Sequence, residues 1–153
     1  MIHETIDACY SGVYPERAVE FFKTFHSEER ILERSQKGEI LILERDNIIV
    51  ATGAIVGNEV LGVFVRPLEQ GSGYGKAIMI ELESRAKTKE LTQITLAVSL
   101  TSKKFYEALG YEIVRDSSVD VGEGQHLNYW KARKSIAPNQ SCSQSVKKGA
   151  KRP

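Results

Sequence analysis

Hydrophobic positions along the chain follow two periods, and the switch between them divides it. Over roughly the first forty residues the spacing is helical. Ile2, Ile6, Cys9 and Tyr10 share one face, and Gly12 and Pro15 break the pattern. Ala18, Phe21, Phe22 and Phe25 predict the apolar face of a second helix. Ser27, followed by Glu28 and Glu29, is the N-cap of a third that ends at Gly38. From Glu39 the pattern becomes that of strands. Glu39 to Glu44 and Ile48 to Val56 are joined by a tight polar turn at Arg45-Asp46-Asn47, and Gly57-Asn58 turns the chain into a strand beginning at Glu59.

That third strand is apolar throughout from Val60 to Val65, and Pro67 stops it. Helical spacing returns at Ile78, Met79, Leu82 and Ala86, with Glu81–Arg85 and Glu83–Lys87 paired at i,i+4 on the other face. Ile94, Leu96 and Val98 alternate on a fourth strand. Thr101 then N-caps a short helix whose buried stripe is Phe105, Ala108 and Leu109, with Gly110 at the left-handed C′ position. Tyr111 to Val114 and His126 to Lys131 close the sheet. The order predicts an α/β fold with a mixed, mostly antiparallel central sheet flanked by helices.

Composition narrows the setting. At 153 residues the chain has the length of one domain with a full core. Charged residues are 27% and the net charge is +1, so charge alone implies no acidic partner and no specific nucleic acid. Cys9 and Cys142 are too few and too far apart for a disulfide framework, which makes a reducing cytoplasmic setting the expectation. No basic-then-apolar leader and no apolar stretch of membrane length is present, so no membrane partner is expected. His3, His26 and His126 with the two cysteines lack metal-ligand spacing, and no metal is expected. The domain is expected to run over residues 1–134. Residues 135–153, rich in Ser, Gln, Lys and Pro without an acidic residue, read as a disordered basic tail.

The chemistry concentrates in Gln70-Gly71-Ser72-Gly73-Tyr74-Gly75-Lys76, between the apolar strand and the helix after it. Glycines clear side chains from the backbone, helix N-terminal amides and the helix dipole favour negative charge, and Lys76 adds a cation. Such a turn suits a phosphate or pyrophosphate. The dinucleotide fingerprint G-x-G-x-x-G fails because the third glycine arrives one residue early. A Walker A loop fails because Gln70 stands at its first glycine and Ala77 at its hydroxyl.

What fits is Gln-x-x-Gly-x-Gly, in Gln70, Gly73 and Gly75, followed about thirty residues later by Phe105-Tyr106-Glu107-Ala108-Leu109-Gly110-Tyr111. On these two motifs the chain, over roughly Glu39 to Arg133, resembles the Gcn5-related N-acetyltransferases (the GNAT family). The resemblance implies the GNAT fold and acetyl-CoA as co-substrate, with Gln70, Gly71, Ser72, Gly73, Tyr74, Gly75 and Lys76 holding its pyrophosphate. It implies transfer of the acetyl group by direct attack of a primary amine, of a small molecule or a peptide. It places the Val63 amide at the thioester carbonyl, Val65 on the pantetheine arm, and Tyr106 as the proton donor to the departing thiolate.

Glu59 stands at the offset where some relatives carry a general base; removal of the amine proton through ordered water, or by His126, is the alternative. Ser99 replaces an asparagine that touches the pantetheine arm in many relatives. The N-terminal helices would form one wall of the acceptor site. Family members begin with a strand before the first helix, and none is expected here, which would leave a sheet edge open to a homodimer. An acyl-CoA-binding regulatory module that has lost catalysis is the alternative function.

Overall fold

A computed structural model describes residues 1–137. Three helices lead: α1 (Ile2–Tyr10), α2 (Glu16–Phe25) and α3 (Glu28–Lys37). Ser27 caps α3 as its pattern predicts, the hydroxyl accepting from the Arg30 amide at 3.3 Å. Then follow β1 (Glu39–Arg45), β2 (Ile48–Val56), β3 (Glu59–Val65), α4 (Tyr74–Thr88), β4 (Gln93–Val98), α5 (Lys103–Ala108), β5 (Glu112–Gly122) and β6 (Gln125–Ser135). The strands form one six-stranded sheet in the order β1-β2-β3-β4-β6-β5. Every neighbouring pair is antiparallel except β3 with β4. The expected mixed, mostly antiparallel sheet flanked by helices is the observed one.

Each face of the sheet has its own core. On one, Met79, Leu82 and Ala86 of α4 pack against Ile55, Val60 and Ile94. Burying side chains such as Met79 and Leu82 contributes about 1.5–3 kcal/mol each. On the other, Ile6, Ala18 and Val19 of α1 and α2 pack with Tyr14, Phe64 and Leu127. The Tyr14 hydroxyl ties this layer down, donating to the Asn128 carbonyl and accepting from the Leu100 amide, each at 2.9 Å.

Two departures from regular pairing shape the middle of the sheet. β2 and β3 slip register between Thr52↔Phe64 and Ala54↔Leu61, a bulge in which Gly62 has φ +66°. β3 and β4 pair only at Glu59↔Thr95 and Val60↔Leu96, then part. The two strands therefore splay from Leu61 onward.

Several local expectations need correction. The last two strands are far longer than Tyr111–Val114 and His126–Lys131: the hairpin goes on to cover the second core with Val119, Val121 and Leu127, and exposed polar residues such as Asp116 and Ser118 interrupt its apolar pattern. Ser102, not Thr101, is the N-cap of α5, and it makes no side-chain capping bond. The buried residue of α5 is Tyr106, while Ala108 is exposed, because the helix presents its tyrosine to the sheet. Glu83 pairs with Lys134 of β6 at 3.0 Å and accepts from the hydroxyl of Tyr111, just before β5, at 2.7 Å instead of meeting Lys87. On α2 the buried stripe is Ala18, Val19 and half-buried Phe22; Phe21 and Phe25 face outward. Ser135 ends β6 and Ile136 is 6% exposed, so the fold runs past Lys134. The rest of the expected tail, with Cys142, lies outside the described residues.

Candidate functional site

The splay opens the sheet where the glycine turn meets it. Arg66 donates its amide to the Val50 carbonyl of β2 at 2.8 Å. Strand alternation then aims the amides of Val65 and Val63 at the opposite edge, where β4 has moved away. Two backbone donors thus face an opening with no strand partner.

A cavity of about 440 Å³ lies on one side of this opening, against Val65, Gln70, Gly71, Gly73, Tyr74, Gly75 and Lys76. Gly73 is the N-cap of α4 with φ +87°, and no side chain caps the helix. The first amides of α4 are therefore free to meet an anion. A Cβ on Gly71 or Gly73 would meet nothing within 4 Å, so it is the left-handed backbone that requires glycine there. Gly75 is different: its Cβ would stand 3.1 Å from the Phe105 ring, so its absence lets α4 close onto α5. Arg45 holds the turn from outside, donating to the Tyr74 hydroxyl at 3.1 Å and to Glu69 at 2.9 Å. Ser72 belongs to the turn but is exposed and off the cavity wall. Gln70 bends back, its amide donating to the Val65 carbonyl at 3.0 Å, which makes it a brace between turn and strand.

A second cleft of about 290 Å³ lies on the other side, between α2, β3 and β6. Glu59 lines it at the start of β3, and Ser99 lines it too, away from the glycine turn. Tyr10, Val63, Phe64, Ser102 and Tyr106 border both cavities and form the wall between them. Tyr106 is 7% exposed, and its hydroxyl has no protein hydrogen-bond partner among the described residues. Burial pushes its pKa up, and the neighbouring Tyr10 adds to the shift. Burial also raises the Tyr10 phenol, an effect partly offset by the Ser99 and Thr101 hydroxyls beside it. Ser99 in turn shares a hydrogen bond with Ser102 at 2.8 Å. The narrow place between the cavities thus carries two neutral phenols, a pair of serines and the Val63 amide.

Some residues stay apart from this centre and others were hidden from it. His126 sits on β6 outside both cavity walls. His26, which shows no constellation in the sequence, is 6% exposed beneath the β3 bulge and accepts from Arg34 Nη1 at 3.0 Å. An arginine only donates, so the neutral imidazole carries its proton on Nε2. Burial, then Arg34 and His3, pull its pKa down to about 3. Arg34 is held down by burial and Arg30 and pulled back up by Glu59, so the Glu59 carboxylate lies within electrostatic reach of that guanidinium. Neither pairing has a signal in the sequence, because α2, α3 and β3 meet only in the fold. Tyr10 fell on an apolar helical face and reads there as core. Among the described residues no group of three or more His, Cys, Asp or Glu side chains is placed to hold a metal ion, and no helix is long and apolar enough to cross a membrane.

Comparison with solved structures returns the same architecture. A Gcn5-related N-acetyltransferase from Rhodopseudomonas palustris superposes with a TM-score of 0.79 at 20% identity, over 88% of this chain and 85% of that one. The PaiA N-acetyltransferase from Thermoplasma acidophilum, in complex with coenzyme A, gives a TM-score of 0.70 at 21% identity over 88% of each chain. A GNAT family acetyltransferase from Elizabethkingia anophelis with acetyl-CoA bound gives 0.59 at 15% identity, over 72% of this chain and 84% of that one. At such identities these likenesses speak for the fold. No curated protein matches the chain by sequence. The profile of the family described as acetyltransferase (GNAT) domain matches residues 8–129. With most of its length inside that match, and with a glycine turn, a splayed strand and a buried tyrosine at its centre, the chain belongs to the GNAT family of acetyl-CoA-dependent acetyltransferases.

Proposed function

We propose that the protein moves an acetyl group from acetyl-CoA to the nitrogen of a primary amine by direct attack. The observation that carries this reading is the wall common to the two cavities, where groups suited to thioester aminolysis separate a phosphate cradle from an apolar cleft. In this reading the free amides at the start of α4, with Lys76, hold the pyrophosphate, and the Val65 amide meets the pantetheine arm. The amine enters from the cleft and attacks the thioester carbon. Its electron pair forms the C–N bond, and negative charge moves to the carbonyl oxygen at the Val63 amide. A fixed donor in a water-poor site stabilises that oxyanion without reorganising, an effect of about 3–4 kcal/mol for a single donor elsewhere.

Collapse breaks the C–S bond. The Tyr106 phenol, kept neutral by burial, meets the departing sulfur as a hydrogen-bond donor. Its proton follows only as the proton lost by the amine is passed back toward the wall. Glu59 lies four residues before Val63, about 13 Å along the strand, so it takes up a proton through water and not by contact. The apolar walls help by favouring the neutral, nucleophilic amine over its ammonium form.

Replacement of Tyr106 by Phe tests the assignment. Thiol release with an accepted amine should slow by about a hundredfold, the scale of general acid assistance. Calorimetry should find the acetyl-CoA affinity within about twofold of wild type, because no pyrophosphate contact changes. Unchanged turnover would remove Tyr106 from the reaction. A wild-type chain that binds acetyl-CoA but acetylates no amine would instead be a regulatory acyl-CoA-binding module.

A further inference from the structure

We infer that the acceptor is a compact primary monoamine with an aromatic or branched apolar body, an arylalkylamine above all; this rests on the amine-acetylation reading above. The acceptor cleft is aromatic to a degree the rest of the molecule is not. Four of the five phenylalanines line it: Phe21, Phe22, Phe25 and Phe64. Phe22 and Phe64 pack into the core beneath it, whereas Phe21 and Phe25 are each 39% exposed and lie nearly parallel, their centroids 6.3 Å apart and planes 12° apart. Arg30 and Arg34 set their guanidinium carbons 5.9 and 5.1 Å from the Phe25 ring centroid, so the uncovered apolar surface beside the cleft is mainly that of Phe21, which an apolar acceptor body would bury. Leu127 and Tyr129 of β6 line the same cleft. An aromatic or branched body would bury these surfaces together.

The charges of the cleft argue in the same direction. Its acidic and basic lining residues are Glu59 and Lys131, and His26, which lines it too, stays neutral. One carboxylate can receive one ammonium. A polyamine would bring further cations toward Lys131 and Arg34 with no carboxylate to meet them, and in a half-buried site that repulsion is poorly screened. Aromatic faces, by contrast, attract a single ammonium on entry.

Hydrogen-bonding groups argue against sugars and peptides. The hydroxyls of Tyr10, Ser99, Ser102 and Tyr106 cluster at the wall where the reaction occurs, which leaves Tyr129 and the neutral His26 as the uncharged polar side chains beside the body of the acceptor. An amino sugar or a peptide chain would leave its own donors and acceptors unpaired against phenyl rings, at about 1–3 kcal/mol each. The volume, about 290 Å³, also falls at the small end of small-molecule sites, which run from roughly 300 Å³ upward.

The test measures CoA thiol release by the full chain with 2-phenylethylamine, spermidine, kanamycin and an alanine-initiated tetrapeptide, alongside calorimetric titration of acetyl-CoA. The expected result is a kcat/KM for 2-phenylethylamine at least about thirtyfold above each of the others, within the discrimination an apolar pocket supplies. Phe21→Ala should lower that kcat/KM by about tenfold, mainly through KM, because it removes uniform binding. Phe25→Leu serves as the second variant, and Phe21→Glu should raise the use of spermidine. Thermal melts confirm that these surface variants fold.

Preference for spermidine, kanamycin or the peptide overturns this inference and leaves amine acetylation standing. So does a Phe21→Ala variant that handles 2-phenylethylamine as wild type does. Acetyl-CoA binding with transfer to none of the amines overturns both readings.

Discussion

A phenol buried without a protein partner among the described residues, as Tyr106 is, costs the folded state about 1–3 kcal/mol that a phenylalanine would not. Such a group persists where a ligand supplies the missing partner, and the wall between the two cavities is where that ligand would be. Tyr106→Phe should therefore melt no lower than wild type while losing turnover, a pairing that a merely structural tyrosine would not give. His26 shows a different arrangement, a titratable group whose Nδ1 accepts from Arg34 and which burial holds neutral. Its pKa of about 3 lies below the ordinary 6.5, so the unfolded chain binds a proton that the folded chain refuses. Stability is then complete above pH 6.5 and falls as pH drops toward 3, by about 1.4 kcal/mol for each unit. Urea unfolding should show a loss of about 2 kcal/mol between pH 7 and pH 5, and His26→Gln, which keeps an acceptor for Arg34, should flatten it. An equally steep loss in the variant would assign the effect to other groups. Tyr106 was legible because a motif surrounds it. His26 and Arg34 were not, since their meaning comes from a bulge in a strand far along the chain.

Strand, turn and helix were legible where local pattern and local geometry coincide. The apolar run of β3, the glycines and the face of α4 each carry their own signal, and together they fix the cradle. The β5–β6 hairpin was only half legible, because its outer part is held by contacts from α2, such as Arg17 Nε donating to the Val121 carbonyl at 2.7 Å. The bulge was invisible: a glycine in an apolar run looks like any small residue until its φ of +66° is seen. Gly62→Ala would strain that backbone and bring a Cβ within 3.2 Å of Arg34 Nη1. The expected result is a loss of about 1–2 kcal/mol in chemical denaturation, together with slower turnover as the Val63 amide leaves its aim. Gly73→Ala has open space around it, so its effect should fall on the cradle. KM for acetyl-CoA should rise by about fivefold to tenfold, the equivalent of roughly 1–1.4 kcal/mol of left-handed strain. A rise in the amine KM alone would contradict that placement.

At the scale of the molecule the sheet is two antiparallel halves: β1–β3, joined by tight turns, and β4–β6, in which the β5–β6 hairpin brings β6 back beside β4. They meet along β3 and β4 at two residue pairs, beside a hydrogen bond from the Thr95 amide to the Asn58 carbonyl at 3.0 Å. The opening that exposes Val63 and Val65 is thus also the thinnest joint in the sheet. A sheet joined so briefly should open there before it opens elsewhere, and amide hydrogen exchange should find its least protected interior strands along Leu61–Val65. In the proposed binding mode the co-substrate would act as a rivet. By bonding the free edge of β3 and the start of α4 at once, acetyl-CoA at a hundred times its Kd should add about 2.7 kcal/mol of stability, with the gain in protection centred on that joint. Loading the donor and making the protein mechanically whole would be one event.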